Sequence, residues 1–181
     1  SGVISDELGV DVWVKDETGQ VAGSQKGRHL VSILLHLLAA EELGVTSGRP
    51  PLAIASCGNA AMAAATLAPG VGWRREGDPP GDPAMLRFRE AVADGAVPFS
   101  VQGPENAFCL DAGRTMGWEL FDQAGAAGVS LDRVLVQVGG GAFAASVGAG
   151  LGPDVRLDTV QAAGCAPLAA AARRAASFDE P

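Results

Sequence analysis

Leu30, Ile33, Leu34, Leu37 and Leu38 recur at i, i+3, i+4, i+7 and i+8, the spacing of one helix face, and predict an amphipathic helix packed on a core. It ends at Leu43-Gly44, where glycine supplies a left-handed terminal turn. Ahead of it, Val10 to Lys15 reads as a short strand with a turn at Thr18-Gly19. Beyond it, Ser47 to Pro51 is a connector, Leu52 to Ser56 a second strand, and Ala60 to Leu67 an Ala-rich helix. Residues Pro69 to Pro83 mix Gly, Pro and charge without a period and read as loop. Helical spacing returns at Ala84 to Val92, before a strand at Val97 to Val101, a polar loop at Gly103 to Asn106 and a helix over Arg114 to Ala127. A strand at Arg133 to Val138 runs through Gly139-Gly140-Gly141 into a small-residue helix from Ala142, and a strand at Leu157 to Gln161 and a helix at Pro167 to Ala176 follow.

Strands alternating with helices predict an α/β fold: an open parallel sheet with helices on both faces. The expected division is a larger lobe of residues 1–49 and 101–181 and a smaller one of residues 50–100. Ligands of such sheets sit outside the carboxyl ends of the strands, which singles out the turns Gly23 to Arg28, Ser56 to Ala60 and Gly139 to Phe143.

With 181 residues, 48% of them hydrophobic, the chain can bury a sizeable core. A net charge of −8, from 13 Lys+Arg against 21 Asp+Glu, argues against a nucleic-acid or anionic-membrane surface and favours small-molecule chemistry. Cys57, Cys109 and Cys165 form no C-x-x-C pair, so neither a zinc site nor a disulfide framework is expected, and a cytoplasmic setting fits. Asp6, Glu7 and Asp11 interrupt the first residues, which argues against a secretory signal, and the apolar stretch Leu30 to Ala40 is too short to span a bilayer. His29 and His36, seven apart, share a helix face without a visible third ligand and read as solvated or core-edge, and Trp13, Trp73 and Trp118 read as core. Arg173-Arg174 reads as a charge pair at a helix C-terminus.

In Gly23-Ser24-Gln25-Lys26-Gly27-Arg28 a lysine opens a helix that Ser24 is suited to cap. Near a positive helix end and away from water the free amine is favoured, as a carbonyl-attacking nucleophile requires; the alternative is a solvated surface lysine. Ser56-Cys57-Gly58-Asn59-Ala60 joins a buried strand to a helix whose first amides can take a carboxylate or phosphate, and Asn59 can offer an N–H to an aryl oxygen; it can equally be a capped turn. Gly139-Gly140-Gly141-Ala142-Phe143 presents exposed amides suited to a phosphate dianion without a basic residue. Gly139, Gly141 and Ala144, with Asp158 downstream, also satisfy a dinucleotide pattern, although Asp158 falls inside its strand.

In this order, the three turns resemble those of the fold-type II pyridoxal phosphate enzymes, the tryptophan synthase β-like family that includes threonine synthase and the serine and threonine dehydratases. Val12 to Glu17 resembles the family's strand leading to its lysine, and Gly23 to Arg28 its G-S-x-K-x-R, in which the lysine carries the cofactor. Ser56, Cys57, Gly58, Asn59 and Ala60 resemble its S-x-G-N-x-A loop, which implies that they hold the substrate carboxylate while Asn59 meets the cofactor's phenolic oxygen. Gly139, Gly140, Gly141, Ala142 and Phe143 are similar to the phosphate loop, in a shortened version, and Gln161 to Leu168 looks closest to the threonine synthase branch.

The resemblance implies pyridoxal 5'-phosphate on Lys26, a small amino acid as substrate, and removal of its Cα proton by the lysine amine before β-elimination. A serine/threonine dehydratase-like lyase is therefore expected. The alternatives are threonine synthase or another β/γ-replacement enzyme, a Rossmann-type nucleotide-binding module and a catalytically inactive cofactor-binding protein. A homodimer fits the Ala-rich helices. Three departures stand out. Gln25 replaces the family's aromatic, and Leu67-Ala68 passes directly into Pro69-Gly70-Val71-Gly72 where the family has a further strand and helix. The family also continues well past the position of Leu168, through the part that faces the pyridine nitrogen, so the fold is expected to be abridged.

Overall fold

The structure, a computed structural model, describes residues 2–56, 58–70, 75–77 and 84–176. Helix α2 (Lys26–Glu42) forms over the leucine spacing; Leu30, Ile33 and Leu34 are buried and Gly44 follows its end at φ +67. That face packs into one core with Leu52 and Ile54 of strand β1 (Leu52–Ile54) and with Ala60, Ala63, Ala64 and Ala68 of helix α3 (Asn59–Gly70). Every residue of β1 is buried, as expected of a central parallel strand covered on both faces. Its neighbours are strands β2 (Arg75–Gly77) and β3 (Val97–Pro98), both parallel to it, in the order β2-β1-β3. Ala53, between the two residues that face α2 and α3, packs instead with Phe88 of helix α4 (Ala84–Ala93).

A second parallel pair, β4 (Arg133–Gln137) with β5 (Arg156–Val160), is covered on one face by helices α5 (Cys109–Ala126) and α6 (Ala142–Gly150). Met116, Val136, Val138, Ala144 and Val147 form that core, while Leu135 and Val160 on the opposite face are exposed. On α5, Gly113 faces the Ser146 side chain and Gly117 the backbone of Val147 and Gly150 on α6, so closely that neither has room for a Cβ. Helix α5 also packs on α2 and so connects the two cores. Helices α1 (Gly2–Leu8) and α7 (Pro167–Ala176) bury no residue, and α7 carries Arg173 and Arg174 in its last turn. No helix among the described residues is long and apolar enough to cross a membrane.

The differences from expectation are local. Residues 11–17 form no strand; they run as coil, since no described strand lies beside them to pair with. Trp13 and Trp118 are 62% and 54% exposed rather than in the core, and Trp73 lies outside the described residues. Within the stretch read as loop, α3 continues through Pro69 to Gly70 and Arg75–Gly77 pairs with β1. A strand and a helix, β2 and α4, therefore do follow the Asn-loop helix. The ladder to β1 makes β2 a strand although its three residues carry no local β pattern.

Candidate active site

Lys26 is the first residue of α2 and is half-buried. The residue before the helix is Gln25 rather than Ser24, but buried Ser24 still accepts the Lys26 amide through its Oγ at 3.4 Å. No side chain among the described residues is hydrogen-bonded to Lys26 Nζ, so its amine is available. The chain reaches Lys26 through a 3-10 turn at Val21–Gly23, in which Ala22 takes left-handed angles (φ 58, ψ 29). This turn packs on α3.

At the carboxyl end of β1, Ser56 Oγ accepts the Gly58 amide at 3.3 Å, and Gly58 and Asn59 are exposed at the start of α3. The Ala60 side chain lies in the core, so only its amide faces the turn, and Cys57 lies outside the described residues. At the end of β4, Gly139, Gly140 and Gly141 open α6, with open space where a Cβ would stand on each. Gly141 has φ 100, and its carbonyl accepts the Ala145 amide. The amides of Ala142 to Ala144 are then free of intrahelical partners and can point at an anion. Gln161 Nε2 braces the loop by donating to the Gly139 carbonyl at 2.9 Å.

The His29 ring, one turn beyond Lys26, meets the Phe143 ring edge-on with centroids 6.0 Å apart. That contact joins a residue in the first turn of α2 to one in the first turn of α6. His29 is 2% exposed, and its Nδ1 lies 2.7 Å from the Cys109 carbonyl and donates to it. Burial depresses its basicity, against the opposing effect of that carbonyl, so it is a neutral buried ring rather than a solvated or core-edge one. Exposed amides opening one helix and a lysine opening another are the kinds of group that a phosphorylated aldehyde cofactor would need. No described hydrogen bond joins Asn59 to Lys26 or to the glycine loop. Asp158, the ribose acceptor of the dinucleotide pattern, is engaged by Arg133 at 3.2 Å and Arg156 at 2.8 Å.

An ion cluster beside Lys26 has no counterpart among the sequence motifs. Arg28 bridges Glu17 and Glu119, and Lys15 reaches Glu119 at 2.7 Å. The hydrogen bonds from Arg28, then Lys15, pull the Glu119 carboxyl down to about 2. A carboxylate depressed by folding contributes stability above its unfolded pKa and loses it as pH falls through the folded value. The thermal midpoint of Glu119→Gln should therefore lie below wild type from neutral pH to about pH 4.5, with the gap closing toward about pH 2. A gap that is constant across this range would show that the charge contributes nothing.

No protein-family model matches the chain, and neither does any curated protein. Solved structures match. A threonine deaminase from T.th. aligns with TM-score 0.67 and 25% identity over 89% of this chain and 52% of its own. A pyridoxal 5'-phosphate-dependent aspartate racemase aligns with TM-score 0.71 and 18% identity over 88% of this chain and 54% of its own. The Escherichia coli diaminopropionate ammonia lyase aligns with TM-score 0.56 and 18% identity over 75% of this chain and 48% of its own. The chain thus spans about half the length of the structures it matches. Its fold is that of the fold-type II pyridoxal phosphate enzymes over the part that it spans.

Proposed function

We propose that the chain binds pyridoxal 5'-phosphate at Lys26 and serves a lyase that performs α,β-elimination on a small hydroxy amino acid. The observation that supports this reading most is the edge-on contact of the His29 ring, one turn beyond Lys26, with the ring of Phe143 in the glycine-loop turn. The likeness to a threonine deaminase supports the choice of substrate class. In this reading the amides from Gly139 to Phe143 hold the phosphate, Asn59 meets the phenolic oxygen, and the turn from Ser56 to Ala60 takes the substrate carboxylate. Lys26 Nζ holds the cofactor and removes the substrate Cα proton. The cofactor, when bound, supplies the electron sink that makes that proton removable. Residues 50–100 act as the smaller lobe, a division supported by the confinement of the β2-β1-β3 sheet to residues 52–98.

The test is incubation with pyridoxal 5'-phosphate, borohydride reduction and peptide mass mapping. A single adduct on Lys26 in the wild type, lost in Lys26→Ala, is the expected result; an adduct on Lys15, the other lysine of the chain, in place of Lys26 would sink the assignment. Release of the 2-oxo acid and ammonia from L-threonine or L-serine then tests the elimination.

A further inference from the structure

We propose that Arg28 is the positioning residue that fixes the direction in which Lys26 presents its amine, an inference that rests on Lys26 being the cofactor-binding lysine. Arg28 lies two residues beyond Lys26, in the same first turn of α2. All five of its N–H groups are engaged. Nε and Nη2 fork onto the Glu17 carboxylate at 2.7 and 3.0 Å, Nη1 and Nη2 onto the Glu119 carboxylate at 2.7 and 2.8 Å, and Nη1 also donates to Thr115 Oγ1 at 2.9 Å. The side chain is 10% exposed, and that of Glu17 11%. So complete a use of a rigid fork goes beyond what a solvent-facing charge pair on a helix end displays.

The fork closes a loop around Lys26. Glu17 ends the coil of residues 11–17, which has no strand ladder to anchor it, and Arg28 sits on the helix where the loop finishes. Between them the chain turns at Thr18 to Gln20 and passes through Ala22 in its left-handed conformation before entering Lys26. A side-chain-bearing residue in that region costs about 1 kcal/mol or more and persists only where its surroundings over-determine it. The anchors here are Arg28 at one end and Gly27 beside the turn, where an added Cβ would meet Val21 Cβ at 3.0 Å. Lys15, bound to Glu119 and to Gln123 Oε1, extends the same attachment along α5. Without the fork, the loop keeps its sequence but loses the constraint on the lysine's approach.

Lysine at position 28 keeps the charge and cannot reproduce the fork. In Arg28→Lys, with folding verified by circular dichroism at low temperature, the affinity for pyridoxal 5'-phosphate, read from the visible absorbance of the lysine-bound cofactor, should fall about tenfold or more. Thr115→Val, which removes one of the five Arg28 bonds and Thr115's own bond to the Ala112 carbonyl but leaves both carboxylates on the fork, should lower it by less, about twofold to threefold, and serves where Arg28→Lys does not fold. Binding of inorganic phosphate, which needs no lysine adduct, should be equal in all three proteins. A wild type that forms no Lys26 adduct overturns the assignment of Lys26. A wild type that forms one with unchanged affinity in the variants, even with lowered melting points, overturns the positioning role alone.

Discussion

Gly117→Ala should destabilise the protein by about 3 kcal/mol or more, although alanine is the better helix former by about 1 kcal/mol. The added Cβ would stand 2.6 Å from the Val147 carbonyl oxygen and 2.6 Å from the Gly150 carbonyl carbon. Those atoms are backbone of α6, so they yield only if the helices separate. Separation would pull α6 away from the core it shares with α5, where Met116 packs with Val136, Val138, Ala144 and Val147. Gly150→Ala meets the Arg114 carbonyl from the other side and should behave alike. Gly125, on the same helix as Gly117, has open space at its Cβ position, and Gly125→Ala should stabilise by roughly 0.5–1 kcal/mol. Urea midpoints of the three variants decide the point; equal midpoints for Gly117→Ala and wild type would mean that the two helices are further apart than described.

Gly141→Ala should selectively weaken recognition of a phosphate. At φ 100 and ψ −18 an L side chain is strained, although no atom stands where its Cβ would go. Strain of about 1–2 kcal/mol is relieved by rotating the peptide toward negative φ, which turns the amides of the loop away from a common point. Affinity for pyridoxal 5'-phosphate should drop about tenfold, each tenfold being about 1.4 kcal/mol, while affinity for pyridoxal, which has no phosphate, should hold. Parallel titrations of the two compounds are the check. Equal losses for both would move the phosphate elsewhere.

Much of this architecture was legible along the chain because periodicity reports burial. The leucines of α2 and the small residues of α3 and α6 marked helices whose apolar faces are in the cores. What escaped depends on partners far away in sequence. Val10 to Lys15 carries β-type residues, yet a strand needs a neighbour, and Lys15 and Glu17 are instead tied to α5 and α2 by charge. Arg28 was visible as part of a lysine motif, but its hold on Glu17, 11 positions back, and Glu119, 91 positions ahead, has no local signature. His29 shared a face with His36, and nothing short of the Cys109 carbonyl and the Phe143 ring distinguishes the buried ring from its partner, which stacks on Phe108. The three turns were recognisable because each joins an element boundary to residues of special chemistry; the contacts between the elements that carry them are tertiary facts.

The glycine loop has a kinetic side. If it holds the phosphate as proposed, its donors are neutral amides on a chain of net charge −8, so an incoming phosphate meets net repulsion at long range and the attraction of the loop dipoles only at close range. Without electrostatic steering, capture proceeds near the unassisted encounter rate, and added salt, by screening the repulsion, speeds association instead of slowing it. The same arrangement should turn away bulky polyanions, whose many charges would feel the net charge of −8 before any one phosphate could reach the amides.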